Sequence, residues 1–443
     1  MSAPPRIVVI GGGFAGIAAG VDLARRGARV TLVEARRTLG GRASSFVDPE
    51  SGETIDDGQH LLMGCYTATR HLLRALGTEH LVRFQKRLAI TMIDPENRAT
   101  RLLCPPLPSP AHLLCGLLAM KGVTWADRIS LLRAARSLMH LPGDGLTVEE
   151  WLDRLRITEN LRRRFWRPIA IAALNEDTRA AAASLLTSVL KTAFGRDASA
   201  TGLGIPLAGM SDLHAEPATR FITERGGEVR AGAPASEIKV EAGRATAVIL
   251  RDGDVLPCDA VVLAVPHTAA GGLLPREALD ADGRLARLGE LGSSAIVSVN
   301  LWFDRPVTEH EFFGLVGGTI QFIFNKRRQW DQRLAKGTYL AGVVSAASGL
   351  ATGTNEVISN AAVEEIRRYL PASRGARLLR SMVVREKQAT FSGRPGVLDL
   401  RPGPATAISN LTLAGDWTAT GLPGTIESAV LSGYAAAHNV PTS

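Results

Sequence analysis

A short apolar strand followed at once by a glycine-rich turn is the feature that most restricts the fold. Residues 6–10 read RIVVI, residues 11–16 read GGGFAG, and the apolar spacing that follows predicts a helix over 17–26. The glycines match G-x-G-x-x-G: the first permits a tight turn, the second lets the backbone approach a pyrophosphate, and the third lets helix pack on strand. The stretch therefore predicts a parallel α/β nucleotide-binding unit.

The next strand, predicted over 28–33, ends in an acidic residue that favours an adenosine ligand. Glu34 follows Gly16 by 18 residues, where a carboxylate can accept hydrogen bonds from ribose hydroxyls. The segment ARRTLGGRASS comes directly after it, and its glycine pair and Arg42 suit the same diphosphate. Simple nicotinamide dehydrogenases lack such a segment, so FAD is the expected cofactor.

The C-terminal stretch LTLAGDWTATGLPGTIESAVLSGYAAA predicts a second group of cofactor contacts. It reads as a strand over 411–414, a carboxylate at Asp416, a glycine-rich turn and a helix with small residues at helical spacing. Asp416 suits the ribityl or pyrophosphate region, and the helix N-terminus suits the pyrimidine end of a reduced flavin. An ordinary helix packed on the sheet is the alternative, but it explains neither Asp416 nor the glycines.

These segments together resemble the FAD-dependent amine oxidase and phytoene desaturase superfamily. The stretches LGGRASSF, DDGQHLLMGCY, FWRPIAIAALN, VNLWFDRPV, REKQATF and AGDWTATGLPGTIESAV are similar to its squalene-associated branch, the hydroxysqualene dehydroxylases of hopanoid biosynthesis. This resemblance covers nearly the whole chain. One departure is Asp57, where many relatives are expected to carry asparagine, a mild change at a turn.

The resemblance implies an α/β fold with a Rossmann-like FAD-binding domain and an α+β substrate domain. The FAD-binding domain is expected to be discontinuous, over 1–70, 205–270 and 400–443. Helical periodicity predicts a mostly helical lid and substrate region over 71–204, and strand-like stretches predict an antiparallel-sheet substrate domain over 271–399.

Motifs and resemblance together imply a set of cofactor contacts. They are Gly11, Gly13, Phe14, Ala15, Gly16, Glu34, Ala35, Arg36, Gly40, Gly41, Arg42, Gly58, Gln59, His60, Val229, Gly415, Asp416, Gly424, Thr425 and Ile426. Val229 is included because it falls where the superfamily's adenine-contacting segment lies. Taken alone, a valine at that position is more typical of a core.

The stretch TIDDGQHLLMG holds the candidate catalytic residues. Asp57-Gly58 is typical of a turn, and the resemblance brings this turn to the flavin side of the substrate cavity. His60 is the first candidate for a proton donor, since its ordinary pKa is about 6.5, with Asp57 as the orienting carboxylate. In the alternative, His60 and Gln59 hydrogen-bond the flavin or the backbone without moving a proton. Weaker candidates are Tyr66, Asn175, Glu176, His267 and Lys387.

The resemblance implies FAD-dependent reduction of hydroxysqualene to squalene, with the hydroxyl lost as water and a hydride from reduced flavin. Such a substrate needs a long apolar tunnel. Two other functions stay open: a carotenoid-type polyene desaturase or isomerase, and a non-catalytic flavin- or lipid-binding protein of the same fold. The sequence names no reductant for the flavin.

Composition narrows the remaining possibilities. Four cysteines without a CxxC pair disfavour disulfides and a metal site. The net charge of +8 comes with only 5% aromatic residues and no basic stripe, so no nucleic-acid partner is expected. No apolar run approaches the roughly 20 residues of a membrane span, and we expect a cytoplasmic protein.

Two apolar stretches have two interpretations each. SPAHLLCGLLAMKG, which basic residues follow, suits either peripheral contact with the inner face of the cytoplasmic membrane or a buried core helix. The phenylalanines of 312–324 either line an apolar cavity or fill a core, and core filling is the preferred expectation. They are Phe312, Phe313, Phe322 and Phe324.

Overall fold

Two large sheets organise the protein, whose computed structural model describes residues 3–139, 142, 145–195, 200–330 and 337–440. Positions 1–2, 140–141, 143–144, 196–199, 331–336 and 441–443 of the predicted domains lie outside the described residues. The strands are β1 (Arg6–Ile10), β2 (Arg29–Glu34), β3 (Ser45–Val47), β4 (Thr54–Asp56), β5 (Leu62–Met63), β6 (Val82–Phe84), β7 (Ala89–Ile93), β8 (Ala99–Leu103), β9 (Leu203–Pro206), β10 (Glu228–Ala231), β11 (Ala235–Glu241), β12 (Arg244–Leu250), β13 (Val255–Pro257), β14 (Ala260–Leu263), β15 (Ser294–Phe303), β16 (Phe312–Leu315), β17 (Phe322–Asn325), β18 (Thr338–Val344), β19 (Leu378–Thr390) and β20 (Leu411–Leu413).

Helices connect and cover these strands. They are α1 (Phe14–Arg25), α2 (Thr67–Ala75), α3 (Ala111–Ala119), α4 (Trp125–Ala134), α5 (Val148–Arg154), α6 (Glu159–Leu161), α7 (Arg167–Leu174), α8 (Ala183–Phe194), α9 (Met210–Thr223), α10 (His267–Ala270), α11 (Arg276–Ala281), α12 (Gly283–Ala286), α13 (Lys326–Gln329), α14 (Asn355–Tyr369), α15 (Val397–Leu400) and α16 (Ile426–Asn439).

The first large sheet is parallel and carries the glycine turn. Its strand order is β10-β2-β1-β14-β20, so the N-terminal and C-terminal segments of the chain meet in one sheet. Strand β1 lies at the centre, and its residues after the exposed Arg6 are all apolar and buried, as is usual for a strand covered on both faces. Helices α1 and α16 pack closely, since a Cβ at Gly433 would lie 2.2 Å from the Ala15 carbonyl oxygen.

The second large sheet is mixed and has seven strands in the order β19-β15-β18-β17-β16-β7-β8. Its strands β7 and β8 come from the segment 71–204, which was expected to be mostly helical. The strands from 271–399 pair antiparallel with one another, whereas β16 pairs with β7 in parallel. Short apolar runs such as AITMI fit a strand or a buried helix equally well, so the sequence did not distinguish these two strands from the helices around them. The division of the chain into domains stays a prediction.

The two faces of the mixed sheet have different surroundings. Odd-numbered residues of β15, among them Val297 and Val299, pack in a core with α14. Even-numbered residues alternate to the other face, and Ile296 there lines the cavity described below. The mixed sheet therefore separates a closed core from the candidate site.

Helix α3 lies within SPAHLLCGLLAMKG and is largely buried. His112, Leu113, Gly116 and Leu117 face the interior, and a Cβ at Gly116 would lie 3.2 Å from Cys104. In the part of the chain that the structure describes, no helix has both the length and the apolar character needed to cross a bilayer.

Candidate active site

A cavity of about 910 Å³ lies between the parallel sheet and the mixed sheet. At one end, here called the glycine end, it is lined by Gly11, Gly13, Glu34, Arg42 and Asp416. The opposite part, here called the apolar end, is lined by Leu88, Ile90, Phe165, Ile169, Leu190, Phe194, Phe312, Phe322 and Phe324. Part of the TIDDGQHLLMG stretch also lines the cavity, namely Asp57, Gly58, Gln59, His60, Leu61 and Met63. Its volume is at the upper end of the range usual for ligand pockets.

The turn after β1 leaves room for a ligand at Gly13, the second glycine of the G-x-G-x-x-G motif. Gly11 has φ +110°, and a Cβ there would lie 2.6 Å from the Ala264 carbonyl oxygen. A Cβ at Gly16 would lie 1.8 Å from the Gly11 carbonyl oxygen, so helix and turn are in contact. At Gly13, by contrast, a Cβ would lie 3.9 Å from the Gly41 Cα. The backbone is thus open on the cavity side at Gly13.

Helix α1 points its N-terminus at this opening. Among the described residues no side chain caps that N-terminus, whose N-cap residue is Gly13. Free N–H groups and the positive end of a helix dipole are the usual partners of a phosphate. The glycine end therefore fits a diphosphate.

Glu34 is fixed at the end of β2 by its own loop. Its Oε2 accepts a hydrogen bond of 2.7 Å from the Gly12 N–H, and its Oε1 accepts one of 2.7 Å from the Arg36 N–H. Each carboxylate oxygen keeps a second lone pair. Glu34 is thus held in place and can still accept a hydroxyl donor from the cavity.

Arg42 and Asp416 both line the cavity and form an ion pair. The Arg42 Nη2 donates to Asp416 Oδ1 at 2.6 Å, and Arg42 Nη1 donates to the Ala389 carbonyl oxygen at 2.6 Å. Burial acts to lower the pKa of Arg42, but the adjacent Asp416 carboxylate outweighs it and the pKa is raised. Arg42 therefore keeps its charge at neutral pH, and its ion pair with Asp416 joins segments 374 positions apart.

The glycine-rich turn after Asp416 is held by a buried arginine. Arg401 donates from Nη2 to the Asp416 carbonyl oxygen at 3.0 Å, from Nε to the Trp417 carbonyl oxygen at 3.2 Å and from Nη1 to the Leu422 carbonyl oxygen at 2.7 Å. Burial lowers the pKa of Arg401 to about 10, so the guanidinium keeps its charge at neutral pH. This one side chain fixes the backbone that presents Asp416.

The acidic pair of TIDDGQHLLMG has two different environments. Asp56 is buried and accepts from Lys326 Nζ at 2.8 Å, from Ser45 Oγ at 2.7 Å and from the Met210 N–H at 3.0 Å. Asp57 lines the cavity and accepts from Ser44 Oγ. Asp56 therefore anchors the loop to buried neighbours, while Asp57 faces the cavity.

His60 is held by the backbone of its own turn. Its Nδ1 lies 3.0 Å from the Gly58 carbonyl oxygen, which can only accept, so Nδ1 carries the hydrogen of that bond. Burial is the largest influence on His60 and lowers its pKa, against the opposing effect of Asp56. The imidazole is therefore mainly neutral at pH 7, and its Nε2 is an acceptor.

The expected pairing of His60 with Asp57 is wrong. Within the described residues His60 bonds to Gly58 and Asp57 bonds to Ser44, since the tight turn directs the ring back onto its own backbone. Gln59 lies between them with a buried Nε2 that has no hydrogen-bond partner in the described residues. A buried amide donor left unpaired in a cavity wall indicates a ligand acceptor beside it.

The apolar end contains a cluster of aromatic rings. Phe312 stacks on Phe322 with ring centroids 5.2 Å apart, and the Phe324 ring is 5.0 Å from the Phe312 ring. Phe313 points to the opposite face and is fully buried in the core with α14. The preferred expectation of core filling is right for Phe313, and it holds also for Phe322 and Phe324, which are buried core residues and line the cavity at the same time. Phe312 is only partly buried and lines the cavity.

Comparison with known proteins decides the family. The flavin containing amine oxidoreductase family matches residues 14–441. A protein of Rhodopseudomonas palustris named hydroxysqualene dehydroxylase is 32% identical over 97% of this chain and 96% of its own length. The chain belongs to the flavin-containing amine oxidoreductase family.

Two further relatives show how wide this family is. A 15-cis-phytoene desaturase of Synechococcus elongatus is 24% identical over 97% of this chain and 94% of its own length. The crystal structure of an oxidoreductase from Methanosarcina mazei superposes with a TM-score of 0.72 and 19% identity, covering 97% of this chain and 99% of that one. The predicted fold class and the resemblance to the hydroxysqualene dehydroxylases are confirmed. The protein is a flavin-dependent oxidoreductase.

Most residues predicted to contact the flavin line one cavity in this flavin-containing amine oxidoreductase. They are Gly11, Gly13, Phe14, Ala15, Glu34, Ala35, Arg36, Gly40, Gly41, Arg42, Gly58, Gln59, His60, Gly415, Asp416, Gly424, Thr425 and Ile426. Two do not. Gly16 lies behind the turn against Gly11, and Val229 pairs with Leu32 in the parallel sheet and packs against the core beneath it. For the residues that do line the cavity, contact with the flavin stays a prediction.

The weaker candidates divide in the same way. Tyr66 and Asn175 line the cavity, whereas Glu176, His267 and Lys387 do not. Asn175 has a structural role: its Nδ2 donates to Thr390 Oγ1 at 3.0 Å, and its Oδ1 accepts from the Ala346 N–H at 2.8 Å. It thereby joins the end of α7 to the mixed sheet.

Sequence reasoning missed several residues of the flavin site. Ala389 and Thr390 line the cavity and belong to REKQATF, which carried the resemblance but received no role. Arg251 and Ser236 also line the cavity, beyond Glu34. Arg401 does not line it but holds the backbone of the turn that carries Asp416. For these three no sequence signal existed, because each comes from a segment without a motif.

Proposed function

We propose that the protein is an FAD-dependent enzyme that reduces hydroxysqualene to squalene, with loss of the hydroxyl as water, as a step of squalene and hopanoid biosynthesis. The observation that supports this most is the continuity of a polar dinucleotide site with an apolar cavity. Among the described lining residues, the charged side chains belong to the glycine end and to TIDDGQHLLMG, and the apolar end has none. A long hydrocarbon fits such a wall.

The extent of the glycine end supports FAD as the flavin. The cavity continues past Glu34 to Pro234 in the loop after β10, Ser236 of β11 and Arg251 after β12. A flavin without an adenosine half would leave this extension unfilled. Glu34 would hold the ribose hydroxyls there, and the open backbone at Gly13 would receive the diphosphate.

The proposed reaction breaks one C–O bond and forms one C–H bond. When bound, reduced FAD would supply the hydride, which carries both electrons. A proton joins the leaving hydroxyl, so that water departs. The substrate's chain would bind by burial, at about 25 cal/mol per Å² of apolar surface.

We assign His60 and Gln59 to holding polar atoms at the junction of the two ends. The neutral His60 ring offers an acceptor at Nε2, and Gln59 offers an unpaired donor at Nε2. One acceptor and one donor side by side suit a hydroxyl or the edge of a flavin. This is the second of the two roles that the sequence left open, and the lowered pKa of His60 favours it.

Product analysis tests the proposal. Purified holoenzyme is incubated without oxygen with hydroxysqualene and a chemical reductant of the flavin, and the extract is identified by mass. We expect squalene only when the reductant is present, and no desaturation of phytoene by the oxidised enzyme.

Two other outcomes would overturn the proposal. Desaturation of phytoene in place of squalene formation would assign the protein to the polyene desaturases. A purified protein that contains no reducible flavin would indicate a non-catalytic lipid-binding protein.

A further inference from the structure

Helix α4 presents an apolar face to solvent. Trp125, Ile129 and Leu132 are 76%, 47% and 57% exposed. Their spacing of four and three residues places them on one side of the helix. Single exposed apolar residues are ordinary, but an aligned group with a tryptophan marks an interaction surface. These three residues are called the α4 face below.

The α4 face is held rigidly. Thr124 and Asp127 form a capping box, with the Thr124 N–H donating to Asp127 Oδ2 at 2.7 Å. Asp127 also accepts from Asn160 Nδ2 at 2.7 Å. On the other side, Arg128 Nε donates to the Leu118 carbonyl oxygen of α3 at 3.1 Å. The exposure of the α4 face therefore belongs to a well-anchored helix.

The exposed charges next to this face along the chain are positive. Residues 104–139 contain one acidic residue, Asp127, which is buried. The same segment contains Lys121, Arg128, Arg133 and Arg136, of which Lys121, Arg133 and Arg136 are exposed. An apolar face with tryptophan and a basic rim has the chemistry of a helix that lies in the interface of an anionic bilayer. Two copies meeting face to face would bring like charges together.

The α4 face is connected to the apolar end of the cavity. Helix α3, to which Arg128 ties α4, begins beside the last turn of α8. There the His112 ring lies 5.9 Å from the Phe194 ring, and Ser109 Oγ donates to the Phe194 carbonyl oxygen. Phe194 lines the apolar end. Helix α3 therefore connects the exposed helix to the wall of the cavity.

We infer that the α4 face docks on the surface of a bilayer that contains anionic phospholipid. Its apolar side chains would lie at the boundary between the head groups and the acyl chains, and Lys121 and Arg133 would contact the phosphates. This moves the expected membrane contact from SPAHLLCGLLAMKG to the next helix. The docking is independent of the proposed function. Its benefit, the transfer of an apolar substrate from the bilayer into the apolar end, rests on that function.

Vesicle flotation tests the docking. The holoenzyme is mixed with vesicles of phosphatidylcholine alone or with phosphatidylglycerol added, at low and high salt. We expect binding to the anionic vesicles that weakens with salt. The triple variant Trp125→Ser, Ile129→Ser, Leu132→Ser should bind at least tenfold more weakly. The double variant Val357→Ser, Leu379→Ser removes comparably exposed apolar side chains from α14 and β19 and should bind like the wild type.

Charge reversal provides a second variant. Lys121→Glu with Arg133→Glu should weaken binding to the anionic vesicles severalfold and should leave the flavin absorbance and the melting temperature unchanged. Equal binding of the triple variant and the wild type would overturn the inference. So would a wild-type dimer that the triple variant converts to monomer, since the α4 face would then be an interface between two copies.

The two proposals fail separately. Vesicle binding without squalene formation would overturn the proposed function and leave the docking intact. Squalene formation by an enzyme that binds no vesicles would overturn the docking alone.

Discussion

The glycine end and the apolar end of the cavity are built by different rules. At the glycine end, backbone atoms nearly touch: a Cβ at Gly16 would fall 1.8 Å from the Gly11 carbonyl oxygen, and Glu34 and Arg42 each have fixed partners. At the apolar end, side chains from several separate segments enclose a space, and none of the phenylalanines there has a polar partner to satisfy. The first end depends on geometry, whereas the second depends on volume and on which way each side chain points.

Neighbouring phenylalanines test this difference most strongly. Phe313 is fully buried in the core behind the mixed sheet, and Phe312 lines the cavity. Phe313→Ala should lower the free energy of unfolding by about 4 kcal/mol because it leaves a void in a closed core. Phe312→Ala should cost about 1 kcal/mol and should mainly lower kcat/KM for the apolar substrate. Urea unfolding and steady-state kinetics measure both effects, and equal destabilisation by the two variants would show that the cavity wall is core.

Two glycines of the same turn provide the matched test at the glycine end. Gly16→Ala should lower the free energy of unfolding by about 3 kcal/mol, since overpacking forces the turn and α1 apart. Gly13→Ala should cost under about 1 kcal/mol, because a Cβ there meets only open space beside Gly41. Flavin should nevertheless bind more weakly to the Gly13 variant. Flavin titration and urea unfolding separate the outcomes, and unchanged flavin affinity in Gly13→Ala would contradict the proposed diphosphate site.

The Arg42–Asp416 pair has a smaller expected effect. Breaking a fully buried ion pair from one side costs about 3–5 kcal/mol, and because Arg42 keeps 28% of its side chain exposed, we expect about 2 kcal/mol for Asp416→Asn. Arg42→Met should behave similarly, and the double variant should cost less than the sum of both. A double-mutant cycle by thermal unfolding measures this coupling. Strict additivity would mean that the pair does not join the two segments.

The smallest expected effect is the pH dependence of kcat/KM that His60 would cause. Because burial lowers its pKa below about 6.5, the ring is neutral above that pH, and a positioning role predicts a flat kcat/KM between about pH 7 and 8. If the imidazolium were the proton donor, the rate would rise as pH falls toward the lowered pKa. His60→Ala should keep the flavin absorbance and lose turnover, and His60→Gln should restore part of it. A rise at low pH that His60→Gln abolishes would return His60 to the role of acid.

The same contrast explains what the sequence could predict. The β1 turn, Glu34, the glycine pair before Arg42 and the Asp416 turn are local patterns whose spacing follows from backbone geometry, and the structure places them around one cavity. The apolar end depends on strand register, which decides that Phe312 faces the cavity and Phe313 the core. No pattern in a single sequence reports that register.

For a related reason, the sequence could not show which apolar segment stays exposed. SPAHLLCGLLAMKG is more apolar than the helix after it, yet its residues Leu113 and Leu117 are covered by the protein. The helix after it has no long apolar segment, because polar residues interrupt its apolar ones. Three of them nevertheless stay exposed: Trp125, Ile129 and Leu132. Apolar content shows which segments avoid water, and only tertiary packing shows which of them remain in contact with it. Arg401 is a similar case, since its role requires a turn that lies later in the chain.

The contact between Arg42 and Asp416 can form only late in the synthesis of the chain. The ribosome passes Arg42 early and must add 374 further residues before its partner exists. A nascent chain can form the β1 turn and even a partial sheet, but it cannot complete the cavity wall, because Asp416 and the turn after it belong to that wall. Flavin uptake should therefore follow completion of the chain. A product that stops short of Asp416 would carry an open, apolar-lined cavity and would be a ready substrate for chaperones and proteases.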